Sequence, residues 1–163
     1  MLRNVFALAD VRPRVEGSVA LVLPTSGSTG APKLALLSRS AVLSSVTATH
    51  EELGGPGRWL LAVPTSHIAG LQVLSRSVVS GFPPVVMNLQ DGFVIRDFID
   101  SVGRLLDDIG PEPRYAALVP TQLRRVLDTG GVAVSGLVAL DAVLLGGAPA
   151  PEDLVDEAHR AGI

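Results

Sequence analysis

Five short apolar runs, each bounded by proline or glycine, set the terms on which this chain can fold: SVALVLP (18–24), RWLLAVP (58–64), PVVMN (84–88), RYAALVP (114–120) and LDAVLLG (140–146). Apolar cores of this length without polar alternation predict strands buried on both faces. Between them the period changes to that of helices. The stretch 38–53 opens on Ser38 as an N-cap and stops at Gly54-Gly55, and 68–80 stops at Gly81. In 95–109, Ile95, Phe98, Ile99, Val102, Leu105 and Leu106 recur on one helical stripe that ends at Gly110-Pro111. A short helix capped by Thr121 follows, and a last one over 151–162 carries acids in its first turn and His159 and Arg160 in its last. Strand alternating with helix predicts an α/β layered fold, a largely parallel sheet flanked by helices.

The chain has 163 residues, 47% of them hydrophobic, which suffices for one domain burying roughly 70% of its unfolded surface. Residues 1–17 read as an N-terminal extension and 18–163 as the domain. Thirteen basic against sixteen acidic residues leave a net charge of −3, so no basic field collects nucleic acid or an anionic membrane. Asp10, Arg12 and Arg14 interrupt the first apolar run before a secretory core forms, and Pro64, His67 and Arg76 break up the most apolar zone, 59–82. A cytoplasmic protein with no integral membrane segment is expected. The absence of cysteine excludes disulfides, thiolate metal sites and a cysteine nucleophile.

Ligands of such sheets collect at the carboxyl ends of the strands, and three of these ends carry unusual text. Thr25-Ser26-Gly27-Ser28-Thr29-Gly30-Ala31-Pro32-Lys33 packs four hydroxyls, two glycines and the chain's only lysine into nine residues. Glycines let successive N–H groups converge on an anion, hydroxyls donate and the ammonium adds a point charge. By composition the run is either such a grip or a solvated turn. It is not a P-loop, because Lys33 lies three residues past the second glycine and is followed by Leu34. His67 in PTSHIAG follows a strand and precedes a helix, where an imidazole can face a cleft, work as acid or base, or cap the helix. Gly146-Gly147-Ala148-Pro149 ends the last strand and admits either a planar group against the backbone or a tight turn. His50 beside Glu51 and Glu52, and His159, carry no such signal. No metal-ligand spacing and no GxSxG elbow occur.

TSGSTGAPK closely resembles the phosphate-loop signature of the adenylate-forming (AMP-binding) superfamily, written [ST]SG[ST]TGxPK, and PTSHIAG, LVPTQL and LLGGAPAP resemble later segments of that family in the same order. The resemblance covers 18–163, and the stretch from Ala48 to Val78 is most like the actinobacterial o-succinylbenzoate:CoA ligases of menaquinone biosynthesis. It implies part of a large N-terminal domain. It also implies formation of an acyl-adenylate and pyrophosphate from ATP and a small-molecule carboxylate, followed by thioester formation with CoA. Thr25, Ser26, Gly27, Ser28, Thr29, Gly30 and Lys33 would hold the β- and γ-phosphates. His67 would border the acyl site, with Lys33 the second catalytic candidate, and Gly146, Gly147, Ala148 and Pro149 would line the nucleotide and acyl pocket.

The sequence departs from the family in two ways. Leu34 stands where a glycine is usual, which leaves the path of the strand after the loop open, and Thr65-Ser66 are smaller than the pair often found before the histidine. The segment whose glutamate binds Mg2+, the aspartate that holds the ribose, and the mobile C-terminal lid with its own lysine have no counterpart in these residues. The fragment is therefore expected to be inactive or nearly so, and to self-associate through a truncated sheet. A non-catalytic assembly subdomain, another acyl- or aryl-CoA ligase or adenylation domain, and an unrelated phosphate binder sharing only the loop are the competing readings.

Overall fold

The computed structural model describes residues 17–25, 33–108 and 110–163. Four of the five apolar runs pair as one parallel sheet in the order β4-β3-β5-β6, built from β3 (Arg58–Leu61), β4 (Val85–Val86), β5 (Arg114–Leu118) and β6 (Ala142–Leu145). Residues of β3 and β5 point alternately to two apolar layers. Leu60, Ala116 and Leu118 face a layer formed by α3 (Ile95–Leu106), α4 (Pro120–Thr129), α5 (Gly131–Val138) and α6 (Glu152–Arg160). Trp59, Leu61, Tyr115 and Ala117 face the other layer, covered by Val73 and Leu74 of α2 (Ile68–Ser80). The two central strands, β3 and β5, are therefore buried on both sides, as their unbroken apolar text required, whereas β6 at one edge is half-buried and β4 at the other leaves Val86 exposed.

The first run departs from expectation. It forms β1 (Val19–Thr25), which pairs antiparallel with β2 (Lys33–Ser38) in a separate two-stranded sheet, in register from Leu21 opposite Leu37 to Thr25 opposite Lys33, with a shift between Leu21 and Val19, which lies opposite Ser38. Of its described side chains only Leu23 is buried, while Ala20 and Pro24 are exposed. Across from Pro24 and Val22, Leu34 and Leu36 are 57% and 55% exposed. Strand β2 escapes sequence reading because LALL runs without a break into Ser38, the N-cap of α1 (Arg39–Glu52), whose hydroxyl accepts from the Ala41 N–H at 3.1 Å. Leu34, the departure from the family glycine, is an ordinary strand residue. The hairpin is tied to α1, where the Arg39 N–H donates to Ser18 O at 3.0 Å, and α1 packs on α2.

Helix ends follow their signals with small shifts. Gly81 closes α2 in the left-handed conformation at φ 77°, which only glycine adopts without strain. Helix α4 begins at Pro120 rather than at the Thr121 cap expected, and α3 stops at Leu106, short of 109. Helix α5 was not expected. It exists because Gly130 and Gly131, at φ 66° and 52°, break the chain after α4 and let a second short apolar helix fold onto α3.

Candidate active site

The two helical layers decide where the sheet opens. From β3 the chain leaves to α2 on one face; from β5 it leaves to α4 on the other. Adjacent parallel strands whose connections diverge in this way leave a crevice outside their carboxyl ends, the usual ligand position in such sheets. PTSHIAG is the connection from β3 into this crevice. The His67 N–H donates to Pro64 O at 3.2 Å, and the Leu71 N–H donates to His67 O at 3.2 Å. His67 is the N-cap of α2 in extended conformation, but its imidazole makes no capping hydrogen bond and is exposed. Of the roles open to it from sequence, side-chain capping is thereby removed. Gly70 makes the tight turn feasible: a Cβ there would overlap the Pro64 carbonyl and lie 2.9 Å from Thr65 Cα.

The end of β6 folds against the end of β5. The Gly146 N–H donates to Leu118 O at 3.0 Å, and Gly147, at φ 80°, leaves only 3.1 Å between a would-be Cβ and Val119 Cγ1. The glycines thus serve close backbone approach, while Ala148 and Pro149 are exposed beyond them. Between the β4–α3 loop and α4 lies a cleft of about 370 Å³ lined by Asp91, Gly92, Phe93, Val119, Thr121, Gln122 and Arg125. Arg125 braces it by donating from Nη1 to Phe93 O at 3.0 Å.

Thr25 and Lys33 are backbone partners at the end of the hairpin. Ser26, Gly27, Ser28, Thr29 and Gly30 lie outside the described residues. Among the described residues no group of three His, Asp or Glu could hold a metal ion, and no helix is long and apolar enough to cross a membrane.

A profile described as "AMP-binding enzyme" matches residues 4–163. The chain belongs to this family. Among relatives of this AMP-binding chain, a probable 2-succinylbenzoate–CoA ligase of Mycobacterium tuberculosis H37Rv is 48% identical over 153 residues, covering 94% of the chain and 39% of the relative. The 2-succinylbenzoate–CoA ligase of Escherichia coli K12 is 33% identical over 141 residues, covering 85% of the chain and 27% of the relative. Among solved structures, o-succinylbenzoate coenzyme A synthetase from Bacillus subtilis in complex with AMP superposes with a TM-score of 0.70 at 29% identity, over 90% of the chain and 35% of that structure. The same enzyme with its acyl-adenylate intermediate gives 0.70 at 28% identity, over 90% and 36%. The chain thus spans between about a quarter and two fifths of the length of these relatives.

Two buried or half-buried polar side chains were not read from sequence. Gln122 is a buried polar side chain inside LVPTQL, a segment noted without residue roles. Arg76, seen only as a break in an apolar zone, is half-buried in α2 with its guanidinium 5.0 Å from the Trp59 ring centre and its Nε unpartnered. The available signal was a lone arginine in the apolar helix IAGLQVLSRSVVS. Facing it from α1 is His50, whose pKa is pushed below 6.5 by burial and then by the Arg76 charge.

Two measurements test this geometry. Gly70→Ala should lower stability in urea by about 1–3 kcal/mol, as overpacking against backbone does, and should shift the His67 imidazole NMR signals; unchanged signals would show that the turn does not depend on Gly70. Because the folded-state pKa of His50 lies below its unfolded value, its contribution is complete above about pH 6.5 and is lost as pH falls toward the folded value. The urea midpoint should drop between pH 7.5 and 5.5, and His50→Gln should flatten that drop.

Proposed function

We propose that this chain supplies the phosphate-gripping and acyl-facing part of an ATP-dependent CoA ligase acting on o-succinylbenzoate. One observation carries the reading: an uncapped imidazole stands where β3 and β5 part, in a chain 48% identical to a probable ligase for this acid. In the proposed reaction a carboxylate oxygen attacks the α-phosphorus of ATP, the bond to pyrophosphate breaks and an acyl-adenylate forms. The CoA thiolate then attacks the acyl carbon and AMP leaves.

Thr25 through Gly30 and Lys33 hold the β- and γ-phosphates and stabilise charge as pyrophosphate departs. His67 borders the reacting carboxylate. Gly146, Gly147, Ala148 and Pro149 form the wall along the nucleotide and acyl group, close backbone approach at Gly147 keeping that wall flat. o-Succinylbenzoate carries two carboxylates, so one remains charged when the other is activated. Arg76, a half-buried cation with no ion pair among the described residues, supplies its counter-charge. Magnesium would arrive on the phosphates of ATP, because the described residues lack a donor set for it.

ATP–pyrophosphate exchange with o-succinylbenzoate tests the reading, on this chain and on a chimera continued with the remaining segment of the Mycobacterium relative. Silence of the chimera with every carboxylate offered would end it. Lys33, the only lysine, should be protected by millimolar ATP from amine-directed labelling, and equal labelling with and without ATP would reduce the loop to a turn.

One observation favours an assembly role beside it. At the sheet edge β6 presents Ala142-Val143-Leu144-Leu145, half-buried and uncharged, without the lysine, proline or bulge that blunts edges. We therefore expect concentration-dependent self-association by light scattering; a monomer at the highest attainable concentration argues against it.

A further inference from the structure

Strands β3 and β5 are in register from Arg58 opposite Arg114 to Leu61 opposite Ala117. Their carbonyls alternate between neighbours. Pro113 O accepts from β3 through the Arg58 N–H, whereas Arg114 O and Leu118 O accept from the Asp141 and Gly146 N–H groups flanking β6. Leu61 O accepts from the Met87 N–H on the β4 side, so Ala62 O faces β5. Two residues further in the same register, the ladder would pair Val63 with Val119 through a bond from the Val119 N–H to Ala62 O.

That bond is not made. Gln122 stands in its place: its Oε1 accepts from the Val119 N–H at 2.9 Å and its Nε2 donates to Ala62 O at 2.9 Å. The orientation of the amide is forced, since one partner can only donate and the other only accept. Two hydrogen bonds and the width of a carboxamide occupy a gap that a single bond of about 2.9 Å would otherwise span. The side chain is 7% exposed, so water does not compete for either partner.

We propose that Gln122 is the positioning residue of the crevice: its carboxamide, inserted into the β3–β5 ladder, wedges the strands apart and sets the opening between the His67 turn and the Val119–Thr121 rim. The wedge stands on the geometry alone; its consequence for the reaction rests on the ligase reading. Gln122 touches no reacting atom in this scheme and acts through the strand ends that carry His67 and Val119.

The test uses Gln122→Glu and Gln122→Met. Above its pKa the introduced carboxylate cannot donate to Ala62 O, and repulsion between the two oxygens drives it out of the ladder, so that the Val119 N–H loses its acceptor as well. Burial raises that pKa, and as pH falls through it the neutral carboxyl both accepts and donates, reproducing the amide. Asp91 of the β4–α3 loop and Arg125 of α4 are the charged groups sharing the cleft; Asp91 opposes ionisation of the new carboxyl and Arg125 favours it.

In the chain as it stands, the hydrogen-exchange protection of the Val119 amide should fall about tenfold in both variants at pH 8, the scale of an unsatisfied buried partner. At pH 5.5 it should recover in Gln122→Glu and stay low in Gln122→Met. In ATP–pyrophosphate exchange, measured where activity is found, Gln122→Glu at pH 8 should raise the KM for o-succinylbenzoate about tenfold relative to wild type with less change in kcat. The ratio should return to within about twofold at pH 5.5, a reversal that general loss of packing cannot produce. Protection that is unaltered, or lowered equally at both pH values in Gln122→Glu, overturns the wedge. Protection that behaves as expected in a chain and chimera both silent in exchange keeps the wedge and removes the ligase reading.

Discussion

A parallel sheet whose neighbouring connections leave to opposite faces has to come apart between those two strands, and the backbone groups bared there must still be paired. Everything at the carboxyl edge of this sheet depends on how that parting is handled. An unsatisfied buried donor or acceptor costs about 1–3 kcal/mol, against a net stability of about 5–15 kcal/mol for a whole domain. Two such groups, the Val119 N–H and Ala62 O, would therefore consume a large share of it. Gln122 satisfies both with one side chain from the first turn of α4. The same turn carries Pro120, whose missing N–H is no loss there. Strand end, helix start and crevice floor are thus one hydrogen-bonded unit.

The amino edge is built in the opposite sense. Arg58, at the start of β3, pairs with Asp108 and Glu112 ahead of β5 and lies 4.9 Å over the Phe82 ring. Trp59 and Tyr115 pack at 5.0 Å between ring centres, and the Tyr115 hydroxyl reaches Leu53 O at 2.9 Å and Gly55 O at 3.1 Å, fastening the end of α1 to the sheet. Gly57 admits this arrangement, since a Cβ there would overlap the Pro113 carbonyl and come within 2.5 Å of the Tyr115 ring. A sheet closed at one edge by aromatic packing and ion pairs can be opened at the other without losing its register. Local stability is thereby concentrated away from the loops that the candidate chemistry uses.

Helices with a single apolar stripe were legible almost to the residue. Helix α2 spans the range read for it, and the stripe of α3 buries Phe98, Val102 and Leu105 as its period required. The central parallel strands were legible because both their faces are covered, which removes polar alternation. That same rule misplaced β1, whose apolar text serves a hairpin with one bare side. Strand β2 and α5 were missed for a shared reason. Each is a short apolar segment whose boundary is set by its neighbour, in one case the Ser38 cap and in the other the Gly130-Gly131 break, rather than by its own periodicity. At the site, glycines and the histidine announced themselves through motif spacing. Gln122 and Arg76 did not, because a glutamine after proline and an arginine in a helix acquire meaning only from what they meet across the fold, Ala62 O in one case and Trp59 in the other.

On the ligase reading, the distribution of charge around the crevice also has a physical logic. Both substrates of the first step are anions, and a carboxylate must approach a triphosphate. Of the crevice residues described, His67, Val119, Thr121, Gln122, Gly146 and Gly147 carry no fixed negative charge, and the one acid of the adjoining cleft, Asp91, shares it with Arg125. A wall that is neutral or cationic lets two anions meet without a third repelling them, which matters more in a low-dielectric crevice than in water. Carboxylates that bind metal would undo this if they lined the same wall. The single lysine, Lys33, pairs through its backbone with Thr25 at the hairpin mouth and adds a cation rather than a further anion to this set of residues.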